Sequence, residues 1–349
     1  MRLPNWNLTF TAKRRLQRAG LITAIVTMVL ILVWFCWVIW LERYVVYSRE
    51  GATINTDLPD RYAGGQVAAP PTVDETIPIY INEGSDAIST EAELSKLSGY
   101  YVEQEQLIED IYGVKDLIVT LPAETAVLLE LKNIYGRFNY TSALPDATMA
   151  SNVNTSAVDD VISEITSRNL YAIAMIPAFR ERSYVLSRNN FFLKDSNGYG
   201  WMDDMKCYWL DPTDNGTLNW LIQIVEELRG LGFDEVVFTE FRFPDTDRIK
   251  FSGDRNAAVQ SAAAKLVETC STANFVVSFA TNDPSFVLPH ATQSRIYLTD
   301  VGAKDADAAA SKIQVPDSAT NLVFLATSTD TRYDKYGTLR PIITANISR

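Results

Sequence analysis

Three hydrophobic patterns follow one another along the chain. From Ala19 to Leu41 no charged residue interrupts an apolar run, centred on Leu21–Trp40. From about Ser48 to Pro78 no hydrophobic period survives, and Ala63-Gly64-Gly65 and Ala69-Pro70-Pro71 mark a spacer rich in turn formers. From about Ser98 short β-rich runs alternate with stretches of helical period. The strands expected are Tyr100–Glu103, Ala126–Leu131, Tyr171–Ile176, Glu235–Phe241, Asn274–Ala280, Arg295–Asp300 and Leu322–Ala326, with Pro341–Thr344 supplying an eighth. Helices are expected over Ala157–Ser167, Leu218–Arg229, Asn256–Thr272 and Ala303–Ile313. In the second of these, Leu218, Ile222, Val225 and Leu228 recur at three- and four-residue spacing.

Strand–helix alternation builds right-handed βαβ units and a parallel sheet. Some 250 residues with seven or eight strands suit an α/β fold, a (β/α)8 TIM-like barrel, complete or imperfect, preceded by one N-terminal transmembrane helix. An open doubly wound sheet is the alternative. It usually carries a Gly-rich first turn, and no G-x-G-x-x-G, phosphate-binding loop or G-x-S-x-G elbow occurs, which argues against nucleotide binding and lipase-type chemistry.

Charge sharpens the reading of the amino-terminal part. The 349 residues carry 31 basic and 43 acidic side chains, a net −12 that disfavours nucleic acid as a partner. Before Glu42 there is no acid, only Arg2, Lys13, Arg14, Arg15 and Arg18, so the remainder carries about −17. About 23 helical residues at 1.5 Å each reach roughly 34 Å, enough for a hydrocarbon core of about 30 Å. Trp34, Trp37 and Trp40 gather at one end like an interfacial belt. The expected layout is a cytoplasmic basic head at 1–18, a signal-anchor at 19–41, an extracytoplasmic linker at 42–97 and a barrel domain at 98–349. A cleaved signal peptide is the competing reading, but its apolar core is shorter and a small-residue cleavage site follows it. Bulky Trp40, Leu41 and Tyr44 stand there instead.

Candidate chemistry lies at the carboxyl ends of the strands. Glu130, Glu240, Asp283 and Asp300 recur there, as glycoside hydrolysis by paired carboxylates requires, although each could equally cap a helix or face water. Two segments are more specific: Tyr208-Trp209-Leu210-Asp211-Pro212, and Gly232-Phe233-Asp234-Glu235-Val236-Val237-Phe238-Thr239-Glu240-Phe241-Arg242-Phe243-Pro244. With Leu129-Glu130-Leu131-Lys132-Asn133 and Tyr171–Phe179 upstream, they resemble a TIM-barrel family of putative glycosyl hydrolases known as a domain of unknown function. Its motifs read W-[VL]-[ND]-P and G-F-D-E-[IV]-x-F-D-Y-[VI]-R-F-P, and the likeness spans about residues 100–245.

The resemblance implies a carbohydrate substrate; joined with the rim of strand-end carboxylates, it makes Glu240 the leading catalytic candidate, partnered by Glu130, Asp283 or Asp300. Lys132 and Arg242, which match the family's motifs, with Arg180 and Asp211, are candidate substrate contacts that could equally form salt bridges or turns, and Trp201 and Trp209 are candidates because aromatic faces stack on sugar rings, although loop packing explains them as well. No cofactor, metal, nucleotide or nucleic acid is expected. The departures are at Thr239, where the family has the aspartate of F-D-Y, and at Met175, where it has the arginine of I-A-R-I. Neighbouring strand residues point to opposite faces, so Glu240 inherits the aspartate's place only through a bulge. Two readings therefore stand: a membrane-anchored glycoside hydrolase, and a catalytically degenerate barrel serving as a carbohydrate-binding or cell-envelope interaction module. Of the other residues, Cys207 and Cys270 could pair outside the cell. Asp203-Asp204 lacks further ligands for a metal, and His290 reads as a surface residue.

Overall fold

The computed structural model describes residues 27–28, 34, 45–48, 51–54, 94–184 and 191–344, and the chain divides into two units, Met1–Gly84 and Ser85–Arg349. In the first unit Val45–Ser48 and Gly51–Ile54 pair as an antiparallel ribbon, Val45 opposite Ile54 and Ser48 opposite Gly51, within the stretch expected to be linker. The expected span at 19–41 lies, apart from Thr27, Met28 and Trp34, outside the described residues. Among those described, no helix is long and apolar enough to cross a membrane.

The second unit is a closed barrel of eight parallel strands in chain order: β1 (Ser98–Val102), β2 (Ala126–Glu130), β3 (Tyr171–Pro177), β4 (Glu235–Thr239), β5 (Val276–Ala280), β6 (Ile296–Leu298), β7 (Leu322–Leu325) and β8 (Gly337–Pro341). Alternation of side chains along each strand divides the core into two layers. Tyr101, Leu128, Ile173, Met175, Val237, Tyr297 and Leu339 fill the interior. Val127, Leu129, Ala174, Val236, Phe238 and Phe279 face the surrounding helices.

Those helices are α1 (Gln104–Glu109) and α2 (Ile111–Ile118) after β1, α3 (Thr155–Ser167) after β2, α4 (Asn215–Gly230) after β3, α5 (Arg255–Cys270) after β4, and the short α6 (Ala306–Ala310) and α7 (Ser318–Asn321) after β6. Each long helix opens on a capping side chain that takes a free backbone N–H: Asn154 from Ala157, Asp214 from Gly216 and Asp254 from Ala257. The face of α4 expected to be buried, including Leu218, Val225 and Leu228, does pack inward. The barrel is irregular after β5, where the chain crosses to β6 without a regular helix.

The amino-terminal end of the barrel is closed by a buried ion pair. Glu235 and Arg295 meet at 2.5 Å, and the hydroxyls of Tyr171 and Tyr297 each donate to the Glu235 carboxylate at 2.9 Å. Arg295 also donates to the carbonyls of Ser95 and Thr320, which ties the segments entering β1 and β7 to β6. This end of a barrel carries stability rather than chemistry.

Several boundaries differ from the sequence expectation. The eighth strand is Gly337–Pro341, not Pro341–Thr344: it pairs with β7 and β1 through a stretch whose residues do not form an apolar run. Helix α6 occupies five residues of the expected Ala303–Ile313. β4 stops at Thr239 instead of reaching Phe241, because Glu240 has φ +49° and leaves the extended region.

Candidate active site at the barrel mouth

The end of β4 organises the mouth. Thr239 shares the interior face with Val237, and its neighbour in register on β3 is Pro177. Met175 lies on the same interior face of β3, opposite Val237 and buried. The two positions at which the chain departs from the resembled family are thus on one face of adjacent strands, one alternation step apart.

The left-handed turn at Glu240 displaces the alternation by one residue. Phe241, not Glu240, returns to the outer layer, with its ring 4.5 Å from Phe179 and 4.7 Å from Phe279. Glu240 is freed to lie on the rim. A non-glycine residue held at positive φ is a local cost of roughly 1–3 kcal/mol that surrounding contacts offset.

Those contacts are ionic. One Glu240 oxygen lies 3.3 Å from Arg180 and the other 3.0 Å from Arg242. Arg180, just beyond β3, directs its Nε and Nη2 onto one oxygen of Asp203, both at 2.7 Å. The other Asp203 oxygen accepts the backbone N–H groups of Met205 and Cys207 at 3.0 Å, and Trp209 donates its indole N–H to Asp203 at 3.2 Å. Burial pulls the Arg180 guanidinium down, and Asp203 and Glu240 more than reverse this, so it sits above its ordinary value. Arg242 lies over the Trp209 ring at 5.1 Å, so one face of that ring is covered by a cation. Asp203 is therefore the hub that fixes the Arg180–Glu240 pair, a role the sequence alone did not suggest.

Glu130 ends β2 on the interior face, two residues after Leu128. Its carboxylate accepts the backbone N–H of Gln104 at 2.7 Å. Burial raises its pKa above the ordinary carboxylate value, the Gln104 hydrogen bond opposes this, and the charge of Glu103 adds to it. Lys132, expected to meet substrate, is instead closed off. It is fully buried and paired at 2.5 Å with Glu181, whose other oxygen accepts the N–H groups of Arg182, Ser183 and Tyr184. This pair ties the exit of β2 to the exit of β3.

The remaining candidates are dispersed. Asp283 is exposed and caps its own turn through Ser285, but it lines, with Arg242, Asp245 and Thr281, a cleft of 330 Å³ between the exits of β4 and β5. Asp300 is exposed beyond β6 at φ +56°. Asp211 caps the turn at Thr213 before α4. Trp201 is half-buried against the outer core. His290 is exposed, away from this cluster, and uses its backbone carbonyl to hold Ser294. Cys207 and Cys270 are buried and unpaired, so the possible bond between them is not made. Burial pushes the Cys270 thiol up to about 11.

Residues 97–279 match the profile of a family described as "putative glycosyl hydrolase domain". The chain belongs to that family. The match begins one residue before β1 and ends inside β5, so β6–β8 complete the same barrel beyond it. No curated protein matches the chain. Among solved structures, it is similar to a hypothetical protein from Ruminiclostridium thermocellum ATCC 27405, at 23% identity over 54% of this chain and 100% of that one, with a TM-score of 0.45. It is also similar to a GH36 alpha-galactosidase from Geobacillus stearothermophilus in complex with 1-deoxygalactonojirimycin, at 10% identity over 72% of this chain and 40% of that one, with a TM-score of 0.52. At that identity the likeness is one of fold alone, and the chain spans well under half of the galactosidase.

Proposed function

We propose that the protein is a membrane-anchored glycoside hydrolase whose barrel acts on polysaccharide outside the cell. The carrying observation is a pair of carboxylates in contrasting surroundings at the exits of β2 and β4. Glu130 is desolvated and shifted toward its protonated form, the setting of a general acid. Glu240 is held between the guanidinium groups of Arg180 and Arg242, the setting of a nucleophile or base. Only β3 stands between β2 and β4, so the two strands run roughly 10 Å apart at about 4.8 Å per strand, and the pair acts if its side chains bring the carboxyl groups to within roughly 5–9.5 Å. Arg242 and the adjoining cleft supply contacts for a sugar ring, whereas Trp209, expected to stack on one, is buried in the core beneath Arg242.

Anchoring rests on the uncharged run at 19–41 and the basic residues before it. Exposed Met28 and Trp34 within that run are in keeping with an apolar surrounding.

A second reading has its own observation. Thr239 and Met175 remove an acid and a base from neighbouring interior positions, which suits a barrel that binds glycan without cleaving it. Incubating the full chain with plant, bacterial and fungal polysaccharides, and measuring reducing ends released, separates the two. Turnover supports the hydrolase. Saturable binding of a glycan with no release of ends supports the binding module.

A further inference from the structure

A second cleft, of 820 Å³, opens on the same carboxyl-end face but away from Glu240, between α1 and the loops that leave β2 and β3. Its volume lies in the usual range of ligand sites. One wall presents Arg137 and Arg182, both exposed and neither paired with an acid among the described residues. The opposite wall is the exposed edge of α1, with Glu105 and Glu109, likewise without cationic partners among the described residues. Asn133 and Asn152 also line the cleft; the Asn133 oxygen is taken up by its own turn, which leaves its amide NH2 to donate.

The two turns that carry the arginines are held by side chains. Asn133 holds the turn through the N–H groups of Tyr135 and Arg137, and the carboxylate of Glu181, locked to Lys132, holds the turn that carries Arg182. The cleft also adjoins the mouth. Gln104, one of its lining residues, is the residue whose N–H bonds to Glu130.

A neutral glycan leaves all four charges without a partner. A purely acidic glycan satisfies the arginines but meets Glu105 and Glu109 as like charges, and a purely cationic one does the reverse. We infer that this cleft is a subsite for a zwitterionic glycan, one bearing both a free ammonium group and a carboxylate. The carboxylate is received by Arg137 and Arg182 and the ammonium group by Glu105 and Glu109. The inference rests on the glycan reading of the mouth and extends it to the class of substrate.

The test is calorimetric titration of the full chain, held in detergent, with three disaccharides. The first joins glucosamine with a free amine to glucuronic acid. The second is the same molecule N-acetylated, and the third is the same molecule with its carboxyl group reduced to an alcohol. The zwitterionic probe should bind about tenfold more tightly than either counterpart, the gain of one charge-assisted contact. Arg137→Gln with Arg182→Gln should abolish the preference over the carboxyl-reduced probe and keep the preference over the N-acetylated one. Glu105→Gln with Glu109→Gln should do the opposite. Equal affinity for the three probes, no binding of any, or preferences unmoved by these exposed substitutions would overturn the assignment. If the charge preferences hold while no glycan is ever cleaved, the hydrolase reading fails and the subsite stands.

Discussion

Lys132 and Glu181 show how far a residue's type can mislead about its role. A lysine at the carboxyl end of a barrel strand invites a substrate contact, yet here both partners of its ion pair are fully buried. Removing one partner strands the other charge away from water. Lys132→Met should therefore cost about 3–5 kcal/mol in denaturant unfolding, with Lys132→Met/Glu181→Leu recovering most of it. Glu130 carries a pH signature. Its raised pKa means that the folded protein holds a proton which the unfolded chain has released. Stability therefore falls as pH rises from the ordinary glutamate value through the raised one, and the contribution is fully kept below that window. The stability of the wild type minus that of Glu130→Gln, followed by thermal unfolding across pH, should slope downward inside the window and be flat on either side. The carboxylates at strand ends were legible in the sequence because the barrel places its chemistry there. Asp203 and Glu181 were not, since their partners Arg180 and Lys132 are brought to them only by loop geometry that no period encodes.

At the scale of elements, strands with a continuous apolar run were legible: β2, β3, β5 and β7 fall within a residue or two of expectation. What failed were boundaries set by pairing or by backbone sign. β8 is a strand because β7 and β1 flank it, despite Thr338 and Arg340. β4 ends early because Glu240 turns left-handed, a bulge-like step that sequence could pose as a condition but not decide. Helices α1 and α2 were unforeseen, since Asp110 breaks one short period and caps the next through Gly113. The exit of β2 depends on Gly136, at φ +78°, where an added Cβ would fall 1.4 Å from a Glu181 oxygen. Gly136→Ala should destabilise the barrel by about 2 kcal/mol or more, read as a lowered unfolding midpoint. It should also loosen the loops that carry Arg137 and Arg182, read as faster amide exchange there.

For the whole molecule, the division of charge at Glu42 organises the account: a basic head, an apolar run and an acidic remainder. If residues 19–41 span the bilayer with the head in the cytoplasm, protease added to intact cells should remove the barrel and spare the head, and a chain beginning after Leu41 should leave the membrane fraction. Retention of that shortened chain in the membrane would refute the anchor. Within the barrel, the Glu235–Arg295 plug secures one end and leaves the other for chemistry, so the central claim concerns Glu240 at the mouth. Its most direct test is the kcat of full-length Glu240→Gln on the glycan that the wild type cleaves, with the unfolding midpoint followed in parallel. The account predicts a loss of at least about a hundredfold in a protein that stays folded. Turnover equal to the wild type would contradict it.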